Sequence, residues 1–186
     1  MTSKKTEQAS ENTLWTIGHS NRSIETFLEL LEGASIRLLA DVRRFPGSRK
    51  HPQFNCDALQ TSLSEAGIAY RHFVDLGGRR NQRLPDSPNT AWRVQSFNAY
   101  ADHVQSAEFQ AALAELMQLA VSQPTTIMCS EALPWQCHRR IIADAFLARG
   151  WTVLDIMGSG KPKPHALTEF AKVSDGTVTY PGGTLF

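Results

Sequence analysis

Two thiols, a carboxylate, an imidazole and two guanidinium groups are gathered in the segment from Cys129-Ser130-Glu131 to Cys137-His138-Arg139-Arg140. The apolar run before it, Thr125 to Cys129, reads as a strand, and the spacing of Ile141, Ile142, Ala145 and Phe146 after it reads as a helix. Cys137 is therefore expected within the start of that helix, where unpaired amides and the helix dipole favour thiolate over thiol. That makes Cys137 a candidate nucleophile or redox thiol, with Cys129 as a second candidate. Glu131 or His138 would move protons, and Arg139 would hold an anion. The plainer reading makes Cys129 a small core residue at a strand end and Cys137 a packing residue on a first turn.

Other turns carry chemistry of the same kind. Gly18-His19-Ser20-Asn21 follows a short apolar run, and its three polar side chains are expected to point into one cleft. Asp41 and Arg43 lie two residues apart on one face of an extended chain, either as a ligand pair or as a structural ion pair. Basic clusters follow in Arg44-Phe45-Pro46-Gly47-Ser48-Arg49-Lys50-His51 and in Arg79, Arg80 and Arg83. Their planar forks suit phosphate and carboxylate, although a solvated surface is the usual reading of any single arginine. Of these, His19, Ser20, Asn21, Asp41, Arg43, Arg79 and Arg139 are the candidate substrate-binding residues. Cys129, Cys137, His138 and His19 also offer soft metal ligands, but their spacing is poor for structural zinc, so no metal is assigned.

Elements must bring these turns together. Leu14 to Ile17, Ile36 to Val42, Ile68 to Phe73, Thr125 to Cys129 and Trp151 to Met157 read as strands, and Ile36 to Val42 has too little alternation for a solvent-facing one. Between them fall helical patterns: one from Ile24, capped by Ser23 and closed by Gly33; one after Asn55, closed by Gly67; Phe97 to Val121, broken near Ser106; and Cys137 to Arg149, closed by Gly150. Strands alternating with helices predict a single α/β domain over residues 14–186, with a mostly parallel sheet of about five strands, Rossmann-like or flavodoxin-like and three-layered. In such sheets ligands bind at the carboxyl ends of the strands, where every polar turn above falls. Asp75 to Arg93 has no periodicity and reads as a basic lid or binding loop. Thr177 to Phe186 reads as a hairpin or as a strap across an edge.

Length and composition set the outer bounds. A chain of 186 residues buries a real core, and 41% hydrophobic with 20% charged residues is ordinary for a globular protein. Lys and Arg total 19 against 18 for Asp and Glu, so the net field does not favour nucleic acid or an anionic membrane, and anion binding must be local. Three cysteines, Cys56, Cys129 and Cys137, make no CxxC pair and point to a reducing, cytoplasmic setting. Residues 1–13 are polar, lack the apolar stretch of a signal peptide and read as disordered. No run approaches the roughly 18 apolar residues of a membrane span.

The motifs TIGHSN, DVRRFPGSR and CSEALPWQCHRR, in that order, resemble the bacterial domain-of-unknown-function family 488 from Leu14 to Phe186. The resemblance implies two functionally important cysteines, at Cys129 and Cys137, and no established reaction or cofactor. Similar sequences often carry a histidine in the strand Trp151 to Met157, where this one has Asp155. The leading expectation is a thiol-dependent enzyme, a hydrolase or transferase, acting on a small phosphate- or carboxylate-bearing molecule, including nucleotides. A Cys-x5-Arg phosphatase signature is missing: the interval from Cys129 ends on Trp135 and that from Cys137 on Ala143. The alternatives are a non-catalytic nucleotide or nucleic-acid binding module, with Phe45, Trp92 or Trp135 stacking on a base, and a metal-binding protein. The sequence is silent on oligomeric state.

Overall fold

The computed structural model describes residues 12–183. The expected disorder of residues 1–13 lies almost wholly outside them, and Thr13 already belongs to the first strand. In chain order the elements are β1 (Thr13–Gly18), α1 (Ile24–Gly33), β2 (Leu38–Asp41), α2 (Cys56–Glu65), β3 (Ala69–His72), α3 (Gln95–His103), α4 (Ala107–Ser122), β4 (Thr125–Cys129), α5 (Arg139–Leu147), β5 (Thr152–Ile156), β6 (Lys163–Pro164), β7 (Lys172–Ser174) and β8 (Thr177–Thr179). Short 3-10 turns span Pro52–Phe54, Val74–Leu76 and Pro134–Gln136.

The sheet runs β3-β2-β4-β1-β5-β6, with the first five strands parallel. β6 adds two antiparallel residues beside β5, so the sheet has six strands rather than five. Ile17, Leu39, Met128 and Ile156 face α1 and α2 through Phe27, Leu31, Leu59 and Leu63. Leu14, Ala40, Ile127 and Val153 face α3 to α5 through Tyr100, Phe109, Leu113, Ile142 and Phe146. Crossovers that travel in opposite directions along the sheet thus put their helices on opposite faces, as a single handedness requires. The result is the expected three-layer, Rossmann-like α/β fold. Its strand order matches neither the flavodoxin sequence 2-1-3-4-5 nor the dinucleotide-binding 3-2-1-4-5-6.

Local signals hold in part. Ser23 and Ser106 accept hydrogen bonds from the amides of Thr26 and Phe109, and the latter cap separates α3 from α4. Gly67 and Gly150 take the left-handed conformation that ends their helices, with φ of 69° and 78°. Gly33 does not. After α1 the left-handed residue is Ser35, φ 55°. Asn55 precedes α2 but caps nothing, because its Oδ1 accepts the Ser48 amide at 2.6 Å. The terminal hairpin is β7–β8, Lys172 to Thr179, earlier than expected.

The long loop after the Val74–Leu76 turn is not a free lid. Asp102, buried on α3, accepts the Leu84 amide, the Ser87 hydroxyl and the Asn89 side-chain amide, and Asn89 Oδ1 accepts the Tyr180 amide. Asn98 closes a pair of bonds with the backbone of Trp92. A segment without periodicity is here held by side chains that satisfy its backbone.

Candidate functional site

The carboxyl ends of β1, β2 and β4 meet because their registers align. Gly18 pairs with Cys129 and Asp41 with Met128, and the chain continues this pattern beyond the strands through His19 N to Cys129 O at 2.9 Å and Val42 N to Met128 O at 3.0 Å. Above these ends opens a cavity of about 620 Å³, lined by residues that include His19, Arg43, Arg44, Phe45, Arg79, Cys129, Glu131, Cys137 and His138. Gly18 is required here: a Cβ at this position would stand 1.7 Å from the Glu131 carbonyl oxygen.

On the floor lie the two thiols and the imidazole. Cys129 and Cys137 are 6% and 3% exposed. His138 donates from Nε2 to the Val42 carbonyl at 2.7 Å, since a carbonyl can only accept, which leaves the Nδ1 lone pair facing inward. Nδ1 stands 3.8 Å from Cys129 Sγ and 3.6 Å from Cys137 Sγ. Tyr100 braces the His138 ring edge-on at 5.1 Å, and Gly78 lies so close that a Cβ would come within 2.8 Å of Nδ1.

Cys137 lies not inside α5 but before it. The helix begins at Arg139, with His138 at the cap, and the Cys137 sulfur accepts both the Arg139 amide and its Nε, each at 3.5 Å. The thiol thus serves as a capping side chain of its own helix. Arg139 is 1% exposed; its other nitrogens donate to the Glu131 carbonyl at 2.7 Å and to Thr16 Oγ1 at 3.5 Å. It pairs with no carboxylate among the described residues. Burial pushes the Cys137 thiol up, but the hydrogen bond from Cys129 and the charge and donors of Arg139 outweigh it and hold the group below the ordinary thiol range. Cys129 moves the opposite way, raised first by its hydrogen bond to Cys137 and then by burial.

The wall beside them is built by Asp41, Arg43 and His19. Asp41, fully buried, receives Arg43 Nη2 at 2.6 Å, Arg43 Nε at 2.9 and 3.1 Å, the Arg43 amide and the Tyr70 hydroxyl. The other end of the guanidinium, Nη1, lies 3.4 Å from His19 Nε2. His19 donates from Nδ1 to the Ser20 carbonyl and stacks on Phe54 at 4.3 Å, and burial lowers its pKa to about 4. A neutral imidazole therefore orients the arginine.

Several expected site residues occupy other roles. Ser20 and Asn21 bond to each other at the surface and do not line the cavity. Asp41 and Arg139 lie behind it, holding Arg43 and Cys137 rather than a ligand. Glu131 contributes its main chain, while its side chain is exposed at the rim. Arg79 is on the rim, exposed, with its carbonyl accepting from Arg44 Nη1. Trp92 is packed among Phe97, Phe170 and Tyr180, so it cannot stack on a ligand, and Trp135 is exposed away from the cavity. Sequence reasoning missed Thr16 and His165. Asp155 accepts from Thr16 Oγ1 at 2.8 Å and pairs with His165 Nδ1 at 2.8 Å, linking β5 to Arg139 through Thr16. A polar pair inside two apolar strands was the signal.

Among the described residues, Cys129, Cys137 and His138 form the one group able to hold a metal ion, their ligand atoms lying within 4.8 Å of one another. No described helix is long and apolar enough to cross a membrane. No curated protein and no solved structure matches the chain. The family described as domain of unknown function DUF488 matches residues 23–146, a span that runs from the Ser23 cap through the Cys137, His138 and Arg139 turn and ends within α5. The chain belongs to the DUF488 family.

Proposed function

We propose that this protein is a thiol-dependent enzyme in which Cys137, as thiolate, attacks a small phosphate- or carboxylate-bearing substrate bound in the cavity. One observation carries the reading: the guanidinium of Arg139 is buried without a carboxylate partner, and the Cys137 sulfur is the ionisable acceptor it contacts. A buried unpaired charge costs several kcal/mol, so the thiolate is the form that balances it. His138 Nδ1 faces both sulfurs and serves as the proton carrier. Arg43, Arg44 and Arg79 line the cavity and favour an anion, and its volume suits a small molecule. Phe45, 64% exposed on the same rim, offers a face to a base or other planar group.

The rate of iodoacetamide alkylation at Cys137, followed against pH, tests this reading. A depressed pKa means that thiolate is present above it and disappears as pH falls through it. The midpoint is therefore expected below the free-thiol value of about 8.5. Inorganic phosphate is expected to slow the reaction. A midpoint at or above the free value removes the nucleophile.

A second reading is favoured by the spacing of the same three groups. A tetrahedral zinc with Zn–S of about 2.3 Å and Zn–N of about 2.0 Å sets N to S edges of about 3.5 Å. His138 Nδ1 lies 3.6 and 3.8 Å from the two sulfurs, with its other nitrogen anchored on a carbonyl as metal-bound histidines are. Zinc bound at one equivalent, protecting both thiols and lost in His138→Ala, would favour this reading over the first.

A further inference from the structure

We infer that Cys129 is the resolving thiol of Cys137, so that the cavity floor carries a dithiol/disulfide couple whose oxidant is a small disulfide bearing carboxylates. The inference rests on the nucleophile reading above and names what that nucleophile attacks. Three features converge. The two sulfurs lie within 4.8 Å of each other and are free. Both line the same cavity, so a group attached to one is presented to the other. His138 Nδ1 stands nearly equidistant from them, in reach of whichever proton must move.

The environments are also unequal in the way a nucleophile and a resolving group need. Cys137 accepts from the Arg139 amide and Nε, while Cys129 has neither donor and meets Ser130 Oγ and His138 Nδ1 instead. The segment between them, Ser130 to Gln136, is pinned at its Cys129 end, where Gly18 packs on Glu131 and Arg139 holds the Glu131 carbonyl, and is exposed at Trp135 and Gln136 next to Cys137. The guanidinium groups of Arg44 and Arg79 at the opening select an acidic disulfide over a neutral one.

The chemistry balances in two steps. The Cys137 thiolate attacks one sulfur of RSSR, the S–S bond breaks, and RS⁻ leaves, giving a mixed disulfide. Cys129 then passes its proton to His138 Nδ1, its sulfur attacks that of Cys137, and the second RS⁻ departs, taking the proton from the imidazolium. The substrate gains two electrons and the protein loses them; a reducing thiol returns the pair to its starting state.

The test uses the full chain in a Cys56→Ser background, since Cys56 sits apart beside Tyr70. The reduced protein is mixed with glutathione disulfide and followed by intact mass and peptide mapping. The inference expects the protein to lose two hydrogens, with mapping to a Cys129–Cys137 link, and the Cys129→Ser variant to accumulate one glutathionyl group on Cys137. Cystamine, a cationic disulfide, is expected to react at least tenfold more slowly. A stable glutathionyl adduct on Cys137 while Cys129 remains free overturns the resolving role and leaves the nucleophile standing. No adduct at Cys137 together with an unshifted alkylation profile overturns both. Equal rates with the two disulfides overturn the acidic substrate class.

Discussion

The floor and the rim of the cavity follow opposite designs. On the floor the polar groups are buried or half-buried and held from behind: Cys137 by Arg139, His138 by the Val42 carbonyl, Arg43 by Asp41 and His19. On the rim, Phe45 and Arg79 stand in solvent with few constraints. Preorganised dipoles in a dry site stabilise developing charge without reorganisation, whereas exposed side chains adapt to a ligand and are screened by water. The difference teaches that, under the proposed reading, the floor is built for chemistry and the rim for recognition.

The comparison breaks most sharply at Asp41. Asp41→Ala leaves Arg43 buried and unpaired, and the expected loss is about 3–5 kcal/mol of unfolding free energy, read by urea denaturation. Replacement without measurable loss would show that the floor is wetter than its burial indicates.

Next in size is the pH dependence that His19 imposes. Its folded pKa of about 4 lies below the ordinary value of 6.5, so between these the unfolded chain binds a proton that the folded one refuses. Stability is full above pH 6.5 and falls as the solution is acidified toward pH 4, by about 2 kcal/mol after screening. His19→Gln should flatten that part of the stability curve, and an unchanged slope would move the titration elsewhere.

The smallest stability effect is expected on the rim. Arg79→Ala and Phe45→Ala should each change unfolding free energy by less than about 0.5 kcal/mol. Arg79→Ala should nevertheless weaken the protection of Cys137 by phosphate about threefold, the scale of one exposed charge-assisted contact. Stability loss without a binding change would assign Arg79 to the scaffold.

Strand positions were readable because four of them are buried on both faces, and their apolar runs say so: β2 and β4 are buried at every residue. β3 was found despite being an exposed edge, through Gly67 before it and Phe73 after it. β6 escaped notice because two residues with a proline carry no period. The cysteine turn lines the cavity at the carboxyl ends of the strands, with Cys137 before the helix rather than inside it. The helix-start amide does reach the Cys137 sulfur, and the buried side chain of Arg139, whose direction no spacing discloses, adds a second donor beside it.

By itself the sequence determined the α/β alternation and the end of the sheet on which the polar turns collect, since burial period and left-handed glycines are local properties written residue by residue. Only the tertiary structure decided that Arg139 turns inward to Cys137 while Arg79 faces solvent, that Ser20 and Asn21 face away, and that Asp102 ties down the long loop. Those outcomes depend on which buried partner is within reach of a side chain, and reach is set by strands distant in sequence and adjacent in space.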